Sequence, residues 1–334
     1  MKTLSTFPLL LCLSAALVTT ACQTQTPAFN MPALSVQSQQ MMQHLYALED
    51  IANQHQGHRA VGSQGGQATA AYIIRTSQAL GFQAEQVPFA NVKGVAGQHI
   101  FVEVKGKNEQ KVVMLGAHYD SVERGPGIND NGSGVAVLLS LLAHYQQHPP
   151  QDSLMFVFWD SEEQGLASKD YVKKLQAQQL AMIKAYINVD MVGTRSPTAM
   201  VVDGDRSSLD DMEKTFRMRG VAPKDYRPVI ETLRATPAHV GDAALEASLK
   251  QFYQSKKVKY KEDVAILNAS DTLGFLGKVP VASIILFNEQ VKGTVLEFAP
   301  CYHQACDTVK HIDPKSLQLA AQAVQYLIDD LAQR

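Results

Sequence analysis

The chain is 334 residues long and carries a formal charge of -2, from 30 Lys and Arg against 32 Asp and Glu. Hydrophobic residues make up 46% and charged residues 19%, a globular composition that excludes a disordered or fibrous chain and lacks the basic excess that draws nucleic acid. The 21 glycines and 14 prolines exclude a low-complexity or collagen-like chain.

Lys2 opens the chain with a positive charge, and residues 7–18 (FPLLLCLSAALV) form an apolar run too short to span a bilayer. The run ends at Thr19-Thr20-Ala21-Cys22, a small residue before cysteine, which is the pattern lipoprotein signal peptidase cleaves. Residues 1–21 are therefore expected to be a signal peptide, with Cys22 lipidated. The protein is then exported and held in the cell envelope, touching membrane only through that lipid; simple secretion or a periplasmic location is the alternative. Residues 22–40 are polar with two prolines and read as a tether. Residues 41–334 read as one catalytic domain, working as a monomer. Cys12 leaves with the signal, so Cys301 and Cys306 are left to pair in an oxidising compartment and to hold the loop between them in one shape.

Residues 41–53 have helical spacing, and turn glycines after His58 lead into a helix reaching about Leu80. Residues 98–105 and 111–117 read as strands split by Gly106-Lys107-Asn108. Residues 133–145 (SGVAVLLSLLAHY) are apolar nearly all round, which predicts a buried helix. A strand over 153–159, a helix over 166–178 and strands over 185–189 and 279–287 follow. Asp313-Pro314 is a helix N-cap with proline at the first helical position, and Leu317, Ala321, Val324, Ile328 and Leu331 mark one face of the helix after it. Residues 204–268 interrupt the alternation and read as an insertion of extra helices and loops near the site. This order predicts an α/β class fold, a three-layer α/β/α sandwich with a mixed, mainly parallel central sheet. Ligands of such sheets bind outside the carboxyl ends of the strands.

Those strand ends carry the polar residues. The strand at 111–117 ends in His118-Tyr119-Asp120; the strand at 153–159 ends in Asp160-Ser161-Glu162-Glu163; the strand at 185–189 ends in Asp190. A glycine-rich turn with Asp130 opens the buried helix, and the loop between the two cysteines presents His303. Two histidines and several carboxylates at one sheet edge make the ligand set of a zinc site, too rich in carboxylate for one ion. The other histidines (His44, His55, His58, His99, His144, His148, His239 and His311) lack ligand partners at useful spacing. His-Glu-x-x-His, Gly-x-Ser-x-Gly and phosphate-loop motifs are all absent.

In these motifs the chain resembles the di-zinc aminopeptidases of metallopeptidase family twenty-eight, of the aminopeptidase S and aminopeptidase Y type. The matching segments are His118-Tyr119-Asp120-Ser121-Val122, Gly125 to Gly134 (GPGINDNGSG), Glu162-Glu163-Gln164-Gly165-Leu166, Asn188-Val189-Asp190-Met191-Val192-Gly193, and Cys301-Tyr302-His303 with Cys306-Asp307. The resemblance implies two zinc ions bridged by Asp130, one completed by His118 and Asp190, the other by Glu163 and His303. It implies Asp120 orienting the His118 imidazole, Glu162 as general base, Tyr302 as oxyanion donor, and a cis peptide bond between Asp130 and Asn131. The expected substrates are peptides with free N-termini. Carboxypeptidase, dipeptidase or glutaminyl cyclase activity in the same fold is the alternative, with Arg195 the one candidate to hold a C-terminal carboxylate; a surface lipoprotein that binds peptides without catalysis is an alternative of another class. Ser270-Asp271-Thr272 departs from the family's Ser-Asp-His. Residues 204–268 and 288–300 differ in length from the family pattern and are expected to line the side-chain pocket, with Met191 and Phe287 as its walls.

Overall fold

Alternating apolar residues fill the strands, so that each strand feeds two cores at once. In β4 (Asp152–Trp159), Leu154, Phe156 and Phe158 face one core while Val157 and Trp159 face the other. The same division runs through β3 (Asn108–His118), β5 (Ile183–Asp190) and β8 (Val281–Phe287). Burial on both faces is what makes these strands nearly continuous in apolar residues, as parallel strands are. The structure, a computed structural model, describes residues 36–264, 270–292 and 295–334. The apolar run at 7–18, Cys22 and most of the segment read as a tether lie outside them.

With β1 (Ala84–Ala90), β2 (Ala96–Val104), β6 (Thr198–Val202) and β7 (Tyr260–Asp263), these strands form one eight-stranded sheet in the order β1-β2-β4-β3-β5-β8-β6-β7. The pairs β4–β3, β3–β5, β5–β8 and β6–β7 are parallel; β1–β2, β2–β4 and β8–β6 are antiparallel. The sheet is mixed and mainly parallel, as expected. Strands β9 (Gln290–Lys292) and β10 (Val295–Glu297) form a separate hairpin.

Helices α1 (Val36–Gln54), α2 (Gln64–Ala79), α3 (Ser133–Gln147), α8 (Asp242–Ser255) and α9 (Pro314–Gln333) cover one face. Helices α4 (Ala167–Lys174), α6 (Ser207–Met218) and α7 (Pro223–Arg234) cover the other, and α5 (Ala177–Met182) is an exposed turn and a half. The helix expected at 166–178 is thus two short ones, because Leu175 turns extended and Gln176 forms a capping box with Gln179. Helix α1 begins at Val36, not Met41, and takes up the end of the segment read as a tether. Gln39 and Gln40 lie on its exposed side, so their polarity does not stop it. Asp313 caps α9 as expected, accepting from the Lys315 N–H at 3.0 Å. Among the described residues no helix is long and apolar enough to cross a membrane.

Helix α3 is buried on nearly every side, so its apolar residues hold the first core together. Leu138→Ala is expected to cost about 2–5 kcal/mol, the range for leucine truncations in a packed core, read as a drop in the guanidinium midpoint without change in slope.

Candidate metal centre

His118 is the last residue of β3 and Asp190 the last of β5. Glu162 and Glu163 follow β4 after Ser161, whose φ of 64° is left-handed. That turn breaks the strand's alternation and brings two adjacent glutamates to one side. Asp130 sits in an irregular turn over Ile128–Gly132 that leads into α3, and the peptide bond from Asp130 to Asn131 is cis. His303 is itself left-handed, with φ 56°, inside the loop closed by the disulfide between Cys301 and Cys306. Gly134 packs the start of α3 against β5 so closely that a Cβ there would collide with the Val189 carbonyl.

The five residues meet in two groups of three that share Asp130: His118, Asp130 and Asp190, and Asp130, Glu163 and His303. His118 Nε2 lies 3.3 Å from Asp130 Oδ1 and 3.6 Å from Asp190 Oδ1. His303 Nε2 lies 3.1 Å from Asp130 Oδ2 and 3.1 Å from Glu163 Oε2. The carboxylate of Asp130 therefore points one oxygen at each histidine. Glu162 lines the same cleft and belongs to neither group.

Without a cation the cluster is electrostatically overcrowded. Burial lowers the affinity of His303 for a proton, but its bonds to Asp130 and Glu163 outweigh this and hold it at about 10. Burial likewise opposes charge on His118, and Asp190, Asp120 and Asp130 reverse the effect and raise it. Burial, then the neighbouring Asp130, pushes Glu163 up to about 7. Burial raises Glu162 well above the usual carboxylate range against the pull of His118. Asp190 Oδ1 and Glu163 Oε1 are buried and accept no hydrogen bond among the described residues. Buried carboxylates and one imidazole in each group, arranged around the shared Asp130, fit divalent cations bound by N and O donors.

The frame around these groups extends beyond what the spacing suggested. His118 Nδ1 lies 3.2 Å from the Asp120 carbonyl and 3.4 Å from its Oδ1. The Asp120 carboxylate also accepts the backbone N–H groups of Glu162 at 3.1 Å and Glu163 at 3.3 Å. One aspartate thus positions residues of both groups. Asp307 accepts the N–H groups of Asn129 and Asp130 at 2.8 and 3.1 Å. Asn131 ties the turn to the neighbouring strand, donating to the Val189 carbonyl and accepting from Gly134 and Met191. Buried Arg59 donates to the carbonyls of Tyr119, Pro126 and Gly127. Ser270 donates to Asp190 Oδ2 at 2.7 Å and is held in turn by Asn188 at 3.0 Å. Thr272, at the departure from the family's Ser-Asp-His, is buried against Ser283. Asp307 and Ser270 stand in quoted motifs, though neither was given a role there; Arg59 gave no signal, since its partners are distant in sequence.

The cleft encloses about 670 Å³, its open mouth included, and all five residues of the two groups line it. Met191, Phe287 and Tyr302 line it, and the Tyr302 ring stacks on His303 at 3.8 Å between centroids. Residues 288–300 contribute Glu289 and Phe298. Of the described part of 204–268 only Asp263 reaches the cleft; that segment otherwise supplies α6 and α7, packed under the sheet, α8 on the opposite face and the edge strand β7. Arg195 is not among the lining residues and donates to the Lys310 carbonyl at 3.2 Å. His99, whose affinity for a proton burial pushes down to about 3, stacks on Phe89 and belongs to neither group.

Fold and site together define an α/β protein whose sheet edge carries two groups of donors suited to divalent cations. Residues 99–328 match the model of peptidase family M28, and the chain belongs to that family. It is 31% identical, over 78% of its own length, to the probable lipoprotein aminopeptidase LpqL of Mycobacterium tuberculosis, and spans about half (52%) of that relative. Its fold is similar to that of BSAP, a zinc aminopeptidase from Bacillus subtilis, with TM-score 0.51 and 24% identity over 71% of this chain and 50% of that one. It is also similar to an Acidobacteriales bacterium glutaminyl cyclase, with TM-score 0.65 and 22% identity over 93% and 99% of the two chains.

Proposed function

We propose that the protein is an exported metallo-aminopeptidase that holds two zinc ions and removes N-terminal residues from peptides. The observation that carries this reading is the pair of ligand groups sharing Asp130, with Glu162 beside both and part of neither. His118, Asp130 and Asp190 would hold one ion, and Asp130, Glu163 and His303 the other. Three protein donors per ion leave coordination open, as a catalytic site needs. Two bound zinc ions would supply a water acidic enough to lose its proton near neutral pH. Glu162 takes that proton and later returns it to the leaving amine. The Tyr302 hydroxyl, kept protonated by burial and by the acidic groups around it, donates toward the oxygen of the scissile carbonyl. The carboxylates of Glu162 and Asp190 face the α-ammonium of the substrate, which restricts turnover to uncapped N-termini.

Zinc in BSAP and the lipoprotein name of LpqL support the metal and the envelope location. On this reading residues 1–21 are removed, Cys22 carries the lipid, residues after it tether the catalytic domain that runs to Arg334, and the domain works as a monomer. A carboxypeptidase would need a cation for the terminal carboxylate. Among the described residues lining the cleft there is no Lys or Arg. Both groups of donors are complete here, which favours the two-ion peptidase reading over the cyclase alternative.

The test compares short peptides with free N-termini against the same peptides N-acetylated, with a chelator control. Cleavage of the free peptides alone, lost on chelation, is expected; cleavage of the blocked ones would overturn the reading. Ser270→Ala is expected to weaken metal binding by about 10–100-fold, the usual cost of losing a partner behind a ligand. A chelating-dye competition measures this, and turnover at saturating metal should change less.

A further inference from the structure

Besides the residues of the two donor groups, the cleft is lined by an apolar wall and two further carboxylates. The strand registers pair Met200 with Ile285 and Thr198 with Phe287 across β6 and β8, and Val202 with Asp263 across β6 and β7. Side chains paired or two apart share a sheet face, so Met200, Ile285, Phe287 and Asp263 lie on one face, and all four line the cleft. Phe298 stacks on Phe287 at 4.9 Å between centroids and extends the apolar wall. Glu289, two residues past β8, joins Asp263 in the lining. These two carboxylates converge: the Lys261 ammonium lies 3.1 Å from Asp263 and 3.8 Å from Glu289. Lys261 is half exposed and does not itself line the cleft. The two acids therefore already share one alkylammonium.

The geometry points to a specificity pocket for basic N-terminal residues, in which the apolar wall takes the methylene stem of lysine or arginine and Asp263 and Glu289 take its charged head. This rests on the aminopeptidase reading and names its substrate class. Lysine and arginine are built this way, an apolar stem under a charged tip. Leucine would fill only the apolar part. It would also partly desolvate the two acids without supplying a donor, which costs affinity. A charge-assisted bond to either acid acts on the side chain alone and leaves the reacting atoms untouched.

The test measures kcat/KM for aminoacyl anilides of lysine, arginine, leucine and norleucine, the last matching the lysine stem without its charge. The wild-type protein is expected to favour lysine or arginine over norleucine by about tenfold or more. Asp263→Asn with Glu289→Gln should lower that ratio by about tenfold, and Lys261→Gln, which removes the competing ammonium, should raise it. A wild-type preference for norleucine or leucine overturns the proposal, and so does an unaltered ratio in the double variant. If no anilide is turned over, the aminopeptidase reading falls. The pocket is then decided by thermal-shift titration of the metal-loaded protein with free amino acids. Arginine stabilising at about tenfold lower concentration than norleucine supports the pocket, and equal stabilisation overturns it.

Discussion

Glu162→Gln is expected to lower kcat by about 10²–10⁴-fold, the contribution of a positioned general base, while the zinc content stays at the wild-type value. The amide has the shape of the carboxylate but cannot take a proton. The contact that positions residue 162 comes from its backbone N–H, donated to Asp120 at 3.1 Å, and survives the exchange. Glu162 also stands outside both ligand groups, so the metal should remain. The experiment pairs steady-state kinetics on a free-N-terminal peptide with metal analysis of the same preparation. A variant with more than a tenth of wild-type turnover would remove Glu162 from the mechanism. One that lost zinc along with activity would make it a ligand instead.

Asp130→Asn should abolish activity by a different route, through the metals. Asp130 is the one residue common to both groups, with Oδ1 3.3 Å from His118 Nε2 and Oδ2 3.1 Å from His303 Nε2. An amide offers one acceptor and turns a donor toward the other group. Both ions should bind more weakly, by more than the about 10–100-fold typical of losing an outer partner. Glu163→Gln, which touches only the group with His303, should by contrast leave about one ion per chain. Metal analysis after gel filtration separates the two outcomes, and retention of two ions by Asp130→Asn would defeat the shared-ligand arrangement.

The strand-end residues were legible because short apolar runs, each closed by a polar residue, mark both the strand and its carboxyl end. His118, Asp190 and the Glu162-Glu163 pair needed no more than that, and the structure brings them together. The first edge strand was not legible: none of the seven residues of β1 is buried and it contains Pro88, which its edge position lets it tolerate. Strands β6 and β7 are five and four residues long, too short for a period to show. Buried Arg59 reads in the sequence as a surface charge. It is satisfied by the carbonyls of Tyr119, Pro126 and Gly127, more than fifty residues away, and backbone acceptors leave no mark in a sequence. Ser270 stood in the Ser270-Asp271-Thr272 segment, but its role was not legible there, because it lies in Asp190, eighty residues earlier.

The order of the sheet also says when the centre comes into being. Its donors arise at His118, Asp130, Glu163, Asp190 and His303, and Ser270, which steadies Asp190, lies just before β8, the strand that docks on β5. Contacts this distant along the chain form late and slowly. A nascent chain that has emerged only as far as β5 carries at most one of the two donor triplets and has no partner for the far edge of β5. On the proposed aminopeptidase reading, this ordering would be a safeguard of timing: the second donor triplet is complete only after the His303 loop has folded back over Asp130.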